Sequence, residues 1–523
     1  MKFIHKPLLI AISAILLVLS FPNFNLWFLA WVGLVPLFFA IKGQRPFKAF
    51  LVSYITGVLF FLGTIYWLIH VTLPGMIIAV LYLALYFGIF GLVSSYAICH
   101  KSPLTIFAIP AVWVALEWIR SAGIFGFCWA LLGHSQSHNL LIIQIADITG
   151  AYGVSFVVVM ANIAIFLTVR DIRQKKYYSF HMALALILIF LSLGYGVLRT
   201  NNIFTGESLR VAVIQGNIPQ VEKWDERFRS LIMSKYEALT KLVAANEPDL
   251  VVWPETSVPG FLESEPDLLQ KVSHLAASLK IPILAGAPSV RGKEENYYNS
   301  AILISEDGRI AGRYDKMHLV PFGEYVPFKI IFSFVEKFAP KPIGDFSAGM
   351  DHTVFNFFVE RTAKEKDVRW RMLKKARFSA LICFEDIFPD LTRSFVKRGA
   401  NFLVNMTNDA WFGNSSAPYQ HAQSSVFRAV ENRVNVVRAA NTGYSCFIDQ
   451  KGHVTPAVHL SGKNLFVDGF AVEDIILTRT RTFYTLYGDV FAHICIFSAL
   501  AYIIGLGLVG LERSFSLRLK KYQ

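Results

Sequence analysis

Two kinds of hydrophobic pattern alternate along this chain. Up to about residue 200, and again near the end, apolar residues follow one another in long uncharged stretches, at residues 7–41, 49–100, 148–169, 177–198 and 490–511. A helix of about 20 apolar residues crosses the hydrocarbon core of a bilayer. The pattern therefore predicts membrane-spanning helices on both sides of a long central segment.

The first two of these stretches are each too long for one helix. Residues 21–25, which contain Pro22, interrupt the first stretch, and residues 72–75, which contain Pro74 and Gly75, interrupt the second. Each stretch therefore predicts a hairpin of two spans. With a further span at about residues 103–119, we expect seven spans before residue 200 and an eighth near the end, about eight in all.

The central segment has a different pattern, in which short apolar runs alternate with amphipathic, charged segments. Such alternation is typical of a folded α/β domain in water. We predict strands at residues 209–215, 250–253, 283–287, 301–305, 378–382 and 402–405, and helices at residues 226–245, 267–279 and 419–439. The predicted organisation is a membrane domain over residues 1–199, an α/β domain over 200–488, and a last span with a basic tail over 489–523.

Composition and charge agree with a polytopic membrane protein. Hydrophobic residues make up 54% of the chain and charged residues 17%, which is more apolar than an average soluble protein. Basic residues fall in alternate connections between the predicted spans: Lys2, Lys6, Lys42, Arg45, Lys48, Lys101, Arg170, Arg173, Lys175, Lys176, Arg513, Arg518, Lys520 and Lys521. By the positive-inside rule this predicts cytoplasmic termini and a central domain on the opposite side. Nucleic-acid binding is disfavoured, because no basic run in the central domain is interleaved with aromatic residues.

Cysteine usage leaves one structural alternative open. The five cysteines form no regular framework, and only Cys383 and Cys446 lie in the central domain. Because that domain is predicted to face an oxidising compartment, a disulfide between them is one interpretation. The sequence around Cys383 favours a free thiol instead.

Three reactive side chains follow short apolar runs, where α/β folds present chemical groups. Glu255 follows Trp253-Pro254, Lys316 lies in a loop rich in Pro and Gly, and Cys383 ends a predicted strand. A thiol needs a base or a positive field to become a nucleophile, and a partly buried Glu can accept its proton. A fixed ammonium can stabilise an oxyanion. Taken singly, each has an ordinary alternative, namely an inert buried Cys, a surface Glu and a solvated Lys.

The short sequence motifs around these residues resemble those of a known family. Trp253-Pro254-Glu255, the run at residues 315–324 and Ile382-Cys383-Phe384-Glu385 resemble the Glu-Lys-Cys triad of the carbon–nitrogen hydrolase (nitrilase) superfamily. The resemblance implies an αββα sandwich in which Glu255 is the base, Lys316 stabilises the oxyanion and Cys383 is the nucleophile.

The whole chain resembles bacterial apolipoprotein N-acyltransferases. This resemblance rests on two observations. The chain has eight predicted spans with one hydrolase-like domain before the last span, and it has matching motifs at residues 117–120, 213–220, 223–226 and 408–413. It implies a ping-pong reaction in the bacterial inner membrane, with the catalytic domain on the periplasmic side. A phospholipid, expected to be phosphatidylethanolamine, acylates Cys383, and the thioester then acylates the N-terminal diacylglyceryl-cysteine of an apolipoprotein. It implies no metal or diffusible cofactor.

Several further residues acquire expected roles from this resemblance. Trp224, Glu324 and Glu385 match family positions needed for activity, through loop closure or support of the triad. Surface solvation is the alternative for the two carboxylates, and a domain-interface anchor for the indole. The residue after the nucleophile is commonly Tyr in the family and is Phe384 here, so no phenol hydroxyl is present.

Two segments outside the triad have open interpretations. The apolar segment at residues 328–338 predicts either buried core or a lid that touches lipid. Glu117 and Arg120, one helical turn apart, predict a structural ion pair or a headgroup contact. We favour the structural interpretation of this pair.

Two other functions fit parts of the pattern. A membrane-anchored amidase or nitrilase would use the same triad on a small soluble substrate, but one span would suffice to anchor it. A non-enzymatic transporter or scaffold would need functional charges within its spans, which are almost free of them.

Overall fold

The computed structural model describes the backbone of residues 5–100, 102–123, 126–175, 180–291, 296–321, 323–325, 345–365 and 368–522. Side chains are described for the same residues except 5, 360–374 and 509–522. The apolar segment predicted at residues 328–338 lies outside this description. The chain divides into two compact units, one of Met1–Ile69, Leu73–Asn201 and Tyr487–Gln523 and the other of His70–Thr72 and Asn202–Leu486.

The described helices, in chain order, are α1 His5–Leu19, α2 Ala30–Gly33, α3 Val35–Ile41, α4 Pro46–Thr64, α5 Leu73–His100, α6 Thr105–Ser121, α7 Ala146–Thr149, α8 Ala151–Arg173, α9 Phe180–Asn201, α10 Arg229–Ala244, α11 Pro266–Leu279, α12 Pro389–Lys397, α13 Ala417–Asn432, α14 Phe483–Tyr487 and α15 Val490–Tyr522. The strands are β1 Glu207–Gln215, β2 Leu250–Val252, β3 Ile283–Arg291, β4 Asn296–Ile304, β5 Ile310–Asp315, β6 Phe355–Glu365, β7 Val368–Ile382, β8 Phe402–Thr407, β9 Asn435–Ala440, β10 Cys446–Ile448, β11 Val454–Pro456 and β12 Gly469–Leu477.

The first unit is built of apolar helices. Among the described residues, five helices are long and apolar enough to cross a membrane: α4, α5, α8, α9 and the Val490–Leu508 part of α15. The other predicted spans fall on shorter helices, α1, α2 with α3, and α6, which has 17 residues and contains Pro110. These apolar helices indicate a membrane protein. The count of eight spans remains a prediction.

The two charged residues of α6 act on each other electrostatically, but both form hydrogen bonds with backbone groups. Glu117 Oε1 accepts a hydrogen bond from the backbone N–H of Leu132 at 2.7 Å. Arg120 Nη1 donates to the carbonyl oxygens of Phe127 and Trp129 at 3.2 and 2.8 Å. Both side chains are buried. They satisfy backbone groups of the segment that follows α6, so their role is structural but differs from the expected one.

The second unit is a four-layered α/β structure. One six-stranded sheet has the order β12-β1-β2-β3-β4-β5 and the other the order β11-β10-β9-β8-β7-β6. At the centre of each sheet three strands run parallel, β1-β2-β3 and β7-β8-β9. The sheets face each other, α10 and α11 pack on the first, and α13 packs on the second. This is the αββα sandwich that the resemblance implies.

The central strands are apolar on both faces, because a sheet covered on both sides has no exposed face. In β1, every residue from Val211 to Gln215 is buried. The outer core of the first sheet contains Trp253, whose ring stacks on that of Tyr236 with centroids 5.0 Å apart. Burial of such runs is what makes short segments recognisable in the sequence.

The six predicted strands are present, with shifted ends, and the largest error concerns the helix predicted at residues 419–439. Helix α13 ends at Asn432, and Arg433 has the left-handed conformation, with φ +53°. Residues of β9 then pair in parallel with β8. Because both elements are buried throughout, the apolar pattern continues across the boundary and did not reveal it. Strands β5, β6 and β9 to β12 were not predicted.

Candidate active site

Glu255 lies just beyond the end of β2, in the first sheet. Its side chain is 7% exposed, and Asn299 Nδ2 of β4 donates to its Oε1 at 2.8 Å. The backbone here runs so close to β3 that a Cβ on Gly286 would lie 2.5 Å from the Pro254 carbonyl oxygen and 2.6 Å from the Thr256 nitrogen. Glycine at that position allows the backbone around Glu255 to pass this close to β3.

Lys316 immediately follows β5 and is almost completely buried. Its Nζ donates to Glu324 Oε1 at 2.8 Å and lies 3.7 Å from Glu255 Oε1. Burial by itself lowers the pKa of this ammonium, but Glu324, Glu255 and Cys383 outweigh burial and raise the pKa above its usual value. Lys316 is therefore a fixed positive charge between two carboxylates.

Cys383 immediately follows β7, at a sharp bend of the backbone. Its φ is +55°, in the left-handed region, and Asn405 Nδ2 of β8 donates to its carbonyl oxygen at 2.8 Å. The residues that follow form a 3-10 turn at Cys383–Ile387, and α12 starts only at Pro389, so the thiol does not lie at the N-terminus of an α-helix. Burial, and then Glu255, raise the pKa of the thiol well above its usual value, although Lys316 lowers it. The thiol is protonated at rest and needs a base.

The tertiary structure brings these three side chains close enough to interact electrostatically. Glu255 raises the pKa of the Cys383 thiol and Lys316 lowers it. The ring of Phe384 belongs to the same group, with its centroid 5.3 Å from Lys316 Nζ. A cation over an aromatic face is attracted by the ring quadrupole. Phe384 therefore contacts the site through its ring, and its lack of a hydroxyl does not remove this contact.

Glu324 holds the loop that carries Lys316. Besides Lys316 Nζ, its Oε1 accepts from Asn299 Nδ2 at 3.2 Å, and its Oε2 accepts from the backbone N–H of Val320 at 2.8 Å. The side chain is 15% exposed. It is a contact of the lysine and not a freely solvated carboxylate.

Glu385 joins the Lys316 loop to the Cys383 turn. Its Oε2 accepts from the backbone N–H of Ile382 at 2.7 Å, and its Oε1 accepts from Met317 and His318 at 2.7 and 3.0 Å. The hydroxyl of Tyr314 donates to the same carboxylate. Glu385 is completely buried, which rules out surface solvation, and burial raises the pKa of its carboxyl to about 7.

Replacing Glu385 by Gln should slow acylation of Cys383 by roughly 10–100-fold. The amide keeps the volume but turns an NH₂ group toward backbone N–H donors, so the Lys316 loop and the Cys383 turn lose part of their connection. The rate of acyl-adduct formation in full-length protein measures this effect. Glu237→Gln, at an exposed pair with Lys241 on α10, is the matched control and should leave the rate unchanged. Equal rates in both variants would contradict this role.

Trp224 lies apart from these contacts and is 52% exposed. It belongs to the turn between β1 and α10, where the preceding residue, Lys223, points inward and is 1% exposed. Lys223 Nζ donates to the backbone carbonyl oxygen of Glu255 at 2.9 Å. The indole is therefore not buried within this unit, and the role of Trp224 remains a prediction.

Sequence reasoning did not identify a completely buried ionic network next to the Cys383 turn. His421 lies between Asp386 and Asp409, at 2.8 and 3.1 Å, and the Arg438 guanidinium lies 3.1 and 3.2 Å from the same two carboxylates. Arg438 Nη1 also donates to Asn405 Oδ1 at 2.6 Å. Burial alone raises the pKa of Asp409, but Arg438 and His421 outweigh it and hold the pKa at about 2.

This network reaches Cys383 through Asn405, which accepts from Arg438 and donates to the Cys383 carbonyl oxygen. The sequence pointed to this network only through Asn408-Asp409, which lies in one of the motifs on which the resemblance rests. Arg438 was hidden because it fell within the helix predicted too long. Lys223 lay in another of these motifs, at residues 223–226, but was assigned no role there, and Asn299 had no signal in the sequence.

Two simpler expectations concern cysteines and metals. Cys383 and Cys446 are both free thiols, so the alternative of a disulfide between them is wrong. In the part of the chain that the structure describes, no group of three or more His, Cys, Asp or Glu side chains has a geometry that could hold a metal ion.

The fold and this site define a carbon–nitrogen hydrolase domain in a membrane protein. The carbon–nitrogen hydrolase family model matches residues 210–479, and the model described as the apolipoprotein N-acyltransferase N-terminal domain matches residues 13–164. The chain belongs to the apolipoprotein N-acyltransferase family.

Individual relatives match over nearly the full length. The apolipoprotein N-acyltransferase of Geobacter metallireducens is 39% identical over 94% of this chain and 93% of its own length. That of Chlorobaculum tepidum is 30% identical, covering 95% of each chain. Among solved structures, the chain is similar to Saccharomyces cerevisiae Nit3, described as a member of branch 10 of the nitrilase superfamily, with 19% identity, a TM-score of 0.38, and coverage of 53% of this chain and 92% of that one.

Proposed function

We propose that this chain is an acyltransferase that moves one acyl chain from a phospholipid to an apolipoprotein. The acceptor is the α-amine of the N-terminal diacylglyceryl-cysteine, and the donor is expected to be phosphatidylethanolamine. The observation that carries the proposal is the near-complete match to relatives named apolipoprotein N-acyltransferase. The buried grouping of a base, a fixed cation and a thiol supports the chemistry.

In the first half-reaction, Glu255 takes the proton of the Cys383 thiol as Sγ attacks the ester carbonyl of the phospholipid. Lys316, with a backbone N–H, stabilises the oxyanion. The ester C–O bond then breaks, Glu255 returns the proton to the leaving oxygen, and a lysophospholipid departs. Cys383 is left as a thioester. The protonated resting thiol supports a base-assisted attack over a preformed thiolate.

In the second half-reaction, the free α-amine of the diacylglyceryl-cysteine attacks the thioester carbonyl. Glu255 accepts a proton from the attacking nitrogen, the C–S bond breaks, and the thiolate regains a proton. The products are an amide on the apolipoprotein and free Cys383. Glu324 and Glu385 support this chemistry by holding Lys316 and its loop, and Trp224 is proposed to act in loop closure over the bound lipid.

Both substrates are lipids, which gives a physical reason for membrane helices in the same chain. We propose eight spans over residues 1–199 and 489–523, with the catalytic domain of residues 200–488 on the periplasmic side of the bacterial inner membrane and both termini in the cytoplasm. The alternate placement of basic residues supports this orientation.

The test uses purified full-length protein, vesicles of phosphatidylethanolamine and a synthetic diacylglyceryl-cysteinyl peptide. We expect an intact-mass increase of one acyl chain, release of lysophospholipid in equal amount, removal of the adduct by hydroxylamine, and its transfer to the peptide. Absence of any adduct would contradict the donor. An adduct that water removes but the peptide does not would contradict the acceptor and favour hydrolysis.

A further inference from the structure

A second lysine reaches the site from the turn after β1, where its neighbours at residues 219–222 and 224–227 are exposed or half-buried. Lys223 is 1% exposed, while its neighbour Trp224 is 52% exposed. Lysine is almost never fully buried unless it is paired. The partner here is a carbonyl oxygen, that of Glu255, at 2.9 Å from Nζ. The contact connects the turn after β1 to the backbone of the proposed base.

The charged groups around the Lys223 amine come from three elements. Glu255, beyond β2, and Cys383, beyond β7, act on it electrostatically. Its own turn carries Glu222 and Asp225, and the Asp225 carboxylate is paired with Arg227. The amine therefore faces the two groups between which a proton moves in the proposed reaction.

The charge balance of the site shows why a second cation matters. Lys316 lies beside two carboxylates, Glu255 at 3.7 Å and Glu324 at 2.8 Å, and the Glu385 carboxylate also acts on it. Lys316 alone therefore leaves the site with an excess of negative charge. Attack by Cys383 moves negative charge from Glu255, which becomes protonated, to the ester oxygen, in a buried site that screens it weakly.

We propose that Lys223 is a positioning residue of the acylation step, which holds the Glu255 backbone and keeps a positive charge near Cys383 while negative charge develops. This inference rests on the proposed function. It differs from the role of Lys316, because Lys223 is bonded to a carbonyl oxygen and to none of the described carboxylates.

Burial makes the charge of Lys223 sensitive to pH. Burial lowers the pKa of Lys223 to about 7, although Glu255 and Cys383 partly oppose the shift. Because an amine carries its charge below its pKa, Lys223 is charged in acidic solution and loses its charge as the pH rises through about 7. We therefore expect the rate of acylation to fall above about pH 7, with Lys223 as the cause of that decline.

The experiment measures the single-turnover rate of Cys383 acylation by phosphatidylethanolamine vesicles from about pH 5.5 to about pH 9. In Lys223→Met, we expect a loss of roughly 10–100-fold at low pH and no decline at high pH. In Lys223→Arg, whose guanidinium stays charged, we expect a rate nearer to wild type and no decline up to pH 9. Lys241→Met, at an exposed position of α10, should behave like wild type.

Thermal unfolding separates this role from a contribution to folding alone. Lys223→Met removes the cost of burying an amine but leaves the Glu255 carbonyl oxygen without this donor, so its unfolding temperature should stay close to that of the wild type. An unchanged pH profile in Lys223→Met, or a loss of rate that is equal at every pH, would overturn the inference and leave the proposed function standing. Failure of the wild type itself to form the adduct would overturn the proposed function, and the inference with it.

Discussion

Replacing Cys383 by Ala should abolish formation of the acyl adduct, with a loss of at least about 10⁴-fold in the rate of N-acylation. Without Sγ no thioester can form, and the fixed charges of Lys316, Glu255 and Glu324 have no nucleophile to act on. The measurement is intact mass after incubation with phosphatidylethanolamine vesicles, followed by peptide mapping of any hydroxylamine-sensitive acyl group.

Cys446→Ala is the matched control for this substitution. Cys446 is also a buried free thiol of the second unit, and its pKa is raised to about 12, chiefly by burial. It lies on β10, paired with Arg438 of β9, and not at a strand end beside Lys316. We expect its adduct formation to equal that of the wild type. A persistent adduct in Cys383→Ala would show that another group is acylated and would contradict the proposed nucleophile.

Arg438→Met should lower the free energy of unfolding by about 3–5 kcal/mol. The guanidinium is completely buried, and its removal takes from Asp386 and Asp409 the cation that contacts both carboxylates. Two carboxylates without their cation cannot be solvated at this depth, so the folded state loses the energy that compensated their burial. The temperature of thermal unfolding of full-length protein in detergent measures the change, and it should fall by several degrees.

Arg210→Met tests whether burial is the reason. Arg210 forms a two-point contact with Asp474, on neighbouring strands β1 and β12, but the two side chains are 36% and 46% exposed. Exposed pairs of this kind contribute below about 1 kcal/mol, because water solvates both partners when the contact is lost. If Arg210→Met is as destabilising as Arg438→Met, burial of the network is not what makes it important.

The ionic network also explains why the backbone at Cys383 can hold a left-handed conformation. Arg438 fixes the Asn405 amide, which in turn holds the Cys383 carbonyl at 2.8 Å. From the other side, Glu385 holds the amide of Ile382 at 2.7 Å. The strained residue lies between two anchored neighbours, which is how a fold can retain an unfavourable conformation at a reactive position.

Much of the candidate site could be predicted because its signals are local. Glu255 and Cys383 each follow a short apolar run, Lys316 lies between such runs, and a strand end can be recognised from its own few residues. Long apolar stretches reveal membrane helices for the same reason, since length and hydrophobicity are properties of one segment. The domain boundaries at residues 199 and 488 remain a prediction. In the structure, the chain passes from one compact unit to the other at residues 201–202 and 486–487.

The sequence by itself determined that this is a membrane protein with an α/β domain bearing a Glu, a Lys and a Cys at the ends of apolar runs. Only the tertiary structure decided that residues 435–440 form a strand, that Lys223 points inward, and that Arg438 is shared by two carboxylates. Each of these depends on partners far away in the chain, such as β8 for β9 and Glu255 for Lys223. Local propensity carries no information about such partners, because strand pairing and the burial of a charge are decided by long-range contacts.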